Sequence, residues 1–177
     1  MPRFLLTFLL WCIPVSATFA QRKAGQARLD SLLAELPRAK PDTNRVKLLN
    51  LISANYSRIN SNEGINYANQ SLVLARRLTW KKGIAFAYTI LGNNYSSKSD
   101  YPQALASHLS GLKIAEEIKD KDLIAGITGN VGNIYVDLAN YPQALAYYEK
   151  ALKGHEELGN KGAVVLWLVA IGNRAFL

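Results

Sequence analysis

Three asparagines, Asn93, Asn133 and Asn173, recur at intervals of forty residues, and each follows a glycine. An asparagine amide can both donate and accept hydrogen bonds, as can the main chain of an extended peptide. A row of amides at a fixed rise could therefore hold a peptide without reading its side chains. The same amides could instead bond a neighbouring helix and serve only as spacers, and the sequence leaves both interpretations open.

Residues suited to catalysis or metal binding are sparse. The only histidines are His108 and His155, and His155-Glu156-Glu157-Leu158-Gly159 begins like a zinc-protease motif but lacks its second histidine. The only cysteine, Cys12, lies in a segment that we expect to be removed. We therefore predict no catalytic site, no metal site and no cofactor, with an enzyme of unrecognised site as a remote alternative.

The first twenty residues have the pattern of a secretory signal peptide. Arg3 supplies a positive start, residues 4–15 are largely apolar, and small residues precede Gln21. We expect cleavage near Ala20 and a periplasmic location for the mature chain. An uncleaved anchor is the alternative, but the apolar stretch is shorter than the roughly 20 residues that span a bilayer.

Composition favours a folded, mildly basic chain. Its 177 residues are 49% hydrophobic and carry a formal charge of +8. Such an excess could suit nucleic acid, an anionic membrane surface or an acidic peptide, and a solvated basic face without a dedicated partner fits equally well. The nine tyrosines could stack on bases, but many recur at positions typical of a helical core. We therefore predict no nucleic-acid partner.

A forty-residue repeat organises the chain. Residues 101–106 and 141–146 share the same six letters, YPQALA, and further identities recur at the same spacing. A fixed period of this length indicates stacked supersecondary units. Each unit is predicted to be two helices, because a proline follows the turn where a second helix would begin and Gly159-Asn160 would end one.

The sequence therefore predicts an all-α right-handed superhelix, an α-solenoid of about three and a half helix pairs. Its parts are the signal peptide (1–20), a capping helix and linker (21–44) and an array (45–177) with units 45–81, 82–121, 122–161 and a partial 162–177. The predicted helices are 27–36, 45–59, 63–78, 83–97, 102–118, 123–138 and 142–158.

The repeat resembles the tetratricopeptide repeat family. The resemblance is carried by Leu91-Gly92-x-x-Tyr95 followed by Tyr101 and Ala104, and more fully in the third unit by residues 132–151. It covers about residue 45 to the end. Forty residues is longer than the usual repeat and is similar to the variety in kinesin light chain and in bacterial signalling proteins. Departures from the pattern are Ser53 for glycine, His108 for an aromatic residue, Gly111 for alanine and Ala175 for tyrosine.

This resemblance implies that the first helix of each pair lines a concave groove, with Asn93, Asn133 and Asn173 pointing into it. The arrangement is similar to the asparagine ladder of peptide-binding repeat proteins, and the three residues are called the asparagine ladder below. Six further side chains are expected on the same face: Lys47, Asn50, Arg58, Thr89, Ser96 and Asp137. The implied partner is a protein or an extended peptide, with acidic character favoured by the basic residues at the N-terminal end.

The C-terminal residues 162–171 are apolar and begin a fourth unit without a second helix. We expect either a truncated reading frame or an edge covered by a partner or by a second copy. Arrays of this kind resemble the sensing parts of bacterial signalling proteins that precede a membrane helix and a kinase or cyclase. Membrane association is thus expected only through a missing downstream segment, and a free-standing periplasmic adaptor for envelope protein assembly is the alternative.

Overall fold

The structure, a computed structural model, describes residues 25–162 and residue 172. The predicted signal peptide, nearly all of the fourth unit and Asn173 therefore lie outside the described residues. The chain divides into two compact units, 1–38 and 39–177. In the first, residues 25–35 form helix α1, which is followed by a 3-10 turn over Leu36–Arg38.

The second unit contains six described helices arranged as three hairpins. Helices α2 and α3 form the first hairpin, α4 and α5 the second, and α6 and α7 the third, while α2, α4 and α6 also contact one another in sequence. No strand occurs within residues 25–162. The predicted all-α stack of helix pairs is therefore confirmed. The bounds are α2 Thr43–Tyr56, α3 Ser61–Arg77, α4 Lys81–Ser97, α5 Tyr101–Glu117, α6 Lys121–Asp137 and α7 Tyr141–Glu157.

Each connection from α3 onward is three residues long and closes one helix while opening the next. After α4, Ser99 adopts a left-handed conformation (φ 60°), and its N–H donates to the Ser96 carbonyl over 2.8 Å. Asp100 N–H donates to the Tyr95 carbonyl over 2.9 Å, while its carboxylate accepts from Gln103 N–H at the start of α5. The same backbone geometry recurs every twenty residues, with left-handed residues Thr79, Ser99, Lys119, Ala139 and Gly159, although the Trp80 side chain makes no capping hydrogen bond at the start of α4.

Each later hairpin is closed by a ring that lies on a glycine. A Cβ built at Gly132 would be 2.6 Å from the Tyr148 ring, and one built at Gly92 would be 2.6 Å from the His108 ring. These glycines are required because the second helix approaches the first to within ring-contact distance. Tyr148 then packs with Ala144 and Ala151 in a buried cluster.

The first hairpin differs from this pattern. Ser53, which replaces the packing glycine, is fully buried and donates to the Gly64 carbonyl over 2.6 Å. Asn94 of the next hairpin donates to the Ser53 hydroxyl over 3.0 Å, so a buried polar chain joins α3, α2 and α4. The predicted end of α2 at Ile59 is wrong, because the helix stops at Tyr56 and Asn60 caps α3.

Candidate peptide-binding surface

Asn93 and Asn133 occupy equivalent positions on α4 and α6. Each follows a packing glycine, and each is exposed although the residues on either side of it are buried. Since α4 and α6 contact each other and repeat in the same register, the two amides lie on the same side of the stack. The described part of the asparagine ladder thus consists of two exposed amides one hairpin apart.

The two amides differ in their hydrogen bonding. The Tyr148 hydroxyl donates to Oδ1 of Asn133 over 2.6 Å, which leaves the Asn133 NH₂ group facing solvent. The residue equivalent to Tyr148 in the second hairpin is His108, which has no hydroxyl. Within residues 25–162 the Asn93 side chain makes no hydrogen bond, so both its donor and its acceptor are open. Asn133 therefore has a packing role, and the binding role of the ladder stays a prediction.

The six accompanying residues are not equally accessible. Lys47, Arg58 and Asp137 are exposed and Ser96 is half-buried. Asn50 and Thr89 are only 2% and 8% exposed. Thr89 donates to the Ala85 carbonyl of its own helix over 3.0 Å, so its hydroxyl is hydrogen-bonded without a bound ligand. The expectation that Asn50 and Thr89 present polar groups to a groove is therefore not matched by their burial.

Two aromatic residues missed in the sequence lie beside the predicted set. Phe86 is 42% exposed, and it precedes Asn93 by two helical turns on the same face of α4. Lys47 Nζ lies 6.0 Å from the centre of the Trp80 ring, at the start of α4. The i, i+3, i+7 spacing of Phe86, Thr89 and Asn93 was the available signal for the first. An apolar contact is thus added to an otherwise polar surface.

The two histidines lie inside the hairpins. His108 is 1% exposed and His155 is 6% exposed, and within the described chain Nδ1 of each lacks a hydrogen-bond partner. Burial lowers the pKa of His108 to about 4, because the imidazolium would lose its hydration. His108 is thus neutral at physiological pH. Among residues 25–162 and 172, no three His, Cys, Asp or Glu side chains cluster as a metal site would require.

Within the part of the chain that the structure describes, no helix is long and apolar enough to cross a bilayer.

Comparison with known proteins identifies the type of repeat. Residues 124–158, which contain most of the third hairpin, match the family model described as tetratricopeptide repeat. No curated protein sequence matches the chain. Solved structures match over most of the chain, at low sequence identity.

Three of these structures are informative about the fold. A Rap protein complexed with competence and sporulation factor is 20% identical over 87% of this chain, with a TM-score of 0.77. Aspartyl phosphate phosphatase F from Bacillus subtilis is 16% identical over 85%, with a TM-score of 0.75. A STAND signal transduction ATPase with a tetratricopeptide repeat sensor, from Pyrococcus horikoshii, is 19% identical over 93%, with a TM-score of 0.72.

The chain spans only 44%, 43% and 26% of these three proteins, respectively, so the likeness concerns their helical arrays. The third hairpin matches the family by sequence, and the described stack has the fold of its solved relatives. The described chain is therefore a helical-repeat array that contains a tetratricopeptide repeat over residues 124–158, as the resemblance of the third unit predicted.

Proposed function

We propose that this chain is a non-catalytic scaffold that binds an extended polypeptide along α2, α4 and α6. The observation that carries the proposal is the pair of exposed amides, Asn93 and Asn133, at equivalent positions of adjacent first helices. Their spacing is set by the stacking of hairpins, so they present bonding groups at a fixed rise to a ligand main chain. The Rap structure among the solved relatives holds competence and sporulation factor, which is consistent with ligand capture by an array of this fold.

The charges around the two amides differ between the two ends of the surface. Lys47 and Arg58 are exposed on and just after α2, while Asp137 is exposed at the end of α6. An acidic segment of the partner would therefore lie over α2, and Phe86 offers a contact for one apolar side chain between the charged ends. The electrostatic part of the binding should weaken at high salt because these groups are solvated.

The test is selection of binders from a phage-displayed library of random twelve-residue peptides. The selected peptides should be enriched in acidic residues, and Asn93→Ala with Asn133→Ala should reduce their affinity at least tenfold. Selection of no peptide, or equal affinity of the double variant, would contradict the proposal.

A matched control separates binding from packing. Asn133→Ala also removes the acceptor of the Tyr148 hydroxyl, which costs about 0.5–1.5 kcal/mol of stability. Tyr148→Phe removes the same hydrogen bond but keeps the Asn133 amide. If the amide binds the ligand, Tyr148→Phe keeps its affinity. If the Tyr148→Phe variant binds the ligand as poorly as the Asn133→Ala variant does, the asparagine acts through packing alone.

We also propose that the chain is exported and that it forms the interaction part of a bacterial signalling protein. The charged start, apolar stretch and small residues of the first twenty positions support export. Signalling is supported by analogy with the STAND relative, whose repeats are described as a sensor. Fusion of residues 1–40 to alkaline phosphatase should give periplasmic activity in bacteria, and cytoplasmic retention of the fusion would refute export.

A further inference from the structure

A cleft lies between the second helices α5 and α7, with α6 as its floor. Its volume is about 350 Å³, and it is lined by Leu112, Glu116, Ile124, Thr128, Tyr147 and Gly154, among others. On α6 the floor residues Ile124 and Thr128 lie roughly 140–180° around the helix from Asn133 and Asp137, at about 100° per residue. The cleft is therefore separate from the peptide-binding surface proposed above.

The equivalent seam one repeat earlier is filled by the chain itself. There Tyr88 occupies the position of Thr128, and it packs against the core cluster formed by α3 and α4. A Cβ built at Gly111 would lie 3.3 Å from the Cβ of Tyr88, so Tyr88 also lies against α5. Arg76 Nη2 donates to the Tyr88 hydroxyl over 2.6 Å, and its guanidinium lies 5.8 Å from the ring centre.

Two side chains of the first seam are replaced by smaller ones in the second, whereas Ser107 is replaced by the larger Tyr147. A shift of forty residues turns Tyr88 into Thr128 and Ile114 into Gly154. Gly154 lies so close to Ala125 that an added Cβ would be 2.9 Å from the alanine Cβ, which shows that the backbones approach closely there. Gly154 therefore adds no space, and the cleft of the second seam is opened by Thr128, which is smaller than Tyr88.

The walls of the open seam are suited to a ring with a hydroxyl. Tyr147 is stacked on Tyr135 with ring centres 5.4 Å apart, which holds it as a fixed wall, and Leu112 and Ile124 supply apolar contacts. The residue equivalent to Arg76 is Glu116, whose exposed carboxylate makes no hydrogen bond or ion pair within residues 25–162 and can accept a hydrogen bond. A phenol hydroxyl accepts from arginine in the first seam and can donate to a carboxylate in the second.

We propose that this cleft, called the tyrosine cleft, docks a tyrosine side chain of a partner protein, which takes the place that Tyr88 fills in the first seam. The chain would then have two binding surfaces, one on the first helices for a main chain and one between the second helices for a side chain. The proposal does not depend on the asparagine ladder, because the two sites share no residue.

The test is an NMR titration of the ¹⁵N-labelled chain with N-acetyl-L-tyrosinamide. Saturable shifts are expected at the amides of Ile124, Thr128 and Gly154. Thr128→Tyr, which restores the arrangement of the first seam, should weaken binding at least tenfold. Thr128→Leu serves the same purpose if the tyrosine variant does not fold. Shifts that persist in the filled variant, shifts at Asn93 and Asn133 instead, or no shifts at all would overturn the proposal.

A second comparison tests the hydroxyl. N-acetyl-L-phenylalaninamide should bind the wild-type chain several-fold more weakly than the tyrosine compound, and Glu116→Ala should abolish that difference. Glu149→Ala, at an exposed carboxylate of α7 outside the cleft, should leave the preference intact. Equal binding of the two compounds to the wild type would show that Glu116 does not recognise a phenol.

Discussion

The buried His108 should make the stability of the chain depend on pH. Its ring lies on Gly92 with 1% exposure, and Nδ1 has no hydrogen-bond partner within the described chain. Burial lowers its pKa from an ordinary value of 6.5 to about 4. Between these values the unfolded chain binds a proton that the folded chain does not bind, so the free energy of unfolding falls as pH falls below 6.5.

The size of the effect follows from the shift. A pKa difference of about 2.5 units corresponds to roughly 3 kcal/mol once pH is below both values, since one unit is about 1.4 kcal/mol. Between about pH 7.5 and pH 5 the loss is about 2 kcal/mol, before most carboxylates are protonated. This is a large fraction of the 5–15 kcal/mol that is typical of folded domains.

Urea unfolding followed by circular dichroism at both pH values measures the loss. The matched variant is His108→Tyr, because Tyr148 fills the same position in the third hairpin and its hydroxyl reaches the equivalent asparagine. In this variant the contribution of His108 to the pH dependence should vanish, leaving a loss smaller by about 2 kcal/mol. An unchanged pH dependence in His108→Tyr would refute the assignment.

Two further predictions concern the backbone of the third hairpin. Ala139→Gly should stabilise the chain by about 1 kcal/mol, because Ala139 is exposed and has a φ of 56° that glycine adopts without strain. Ala146→Gly, at an exposed position within α7, should destabilise the chain by a similar amount. Gly132→Ala should lower the free energy of unfolding by about 1–3 kcal/mol, because the added Cβ would be 2.6 Å from the Tyr148 ring. Gly126→Ala on the same helix should stabilise the chain slightly, because a Cβ added there meets no heavy atom of another element within 4 Å. Thermal and urea unfolding of the four variants checks both pairs, and equal changes within either pair would contradict the reasoning.

Sequence reasoning predicted the helices because their start signals lie in the side chains. Asp100, Asp120 and Asn140 each accept from a backbone N–H of the helix that follows, and their types mark such positions. The helix ends were less visible. Among the left-handed residues, only Gly159 is of a type that predicts this conformation. Ser99, Lys119 and Ala139 adopt it because the three-residue connection leaves no other path between packed helices.

The site was predicted less completely than the fold, because exposure depends on neighbours that a single sequence does not reveal. Asn93 and its neighbour Asn94 have the same side chain, yet one is exposed and the other is fully buried as the bridge to Ser53. A helix turns by about 100° per residue, so adjacent positions face different surroundings. Recognising which asparagine was buried required knowing that α2 packs against α4 at Ser53.

The differences between the repeats are more informative about chemistry than their identities. Because the hairpins share one backbone, a residue that changes over forty positions acts in nearly the same geometric environment as its counterpart. His108 for Tyr148 frees one amide and leaves the other hydrogen-bonded, and Thr128 for Tyr88 opens one seam and leaves the other filled. The residue found in one repeat should therefore fold when placed in the other, which makes His108→Tyr and Thr128→Tyr substitutions that the chain itself has already accommodated.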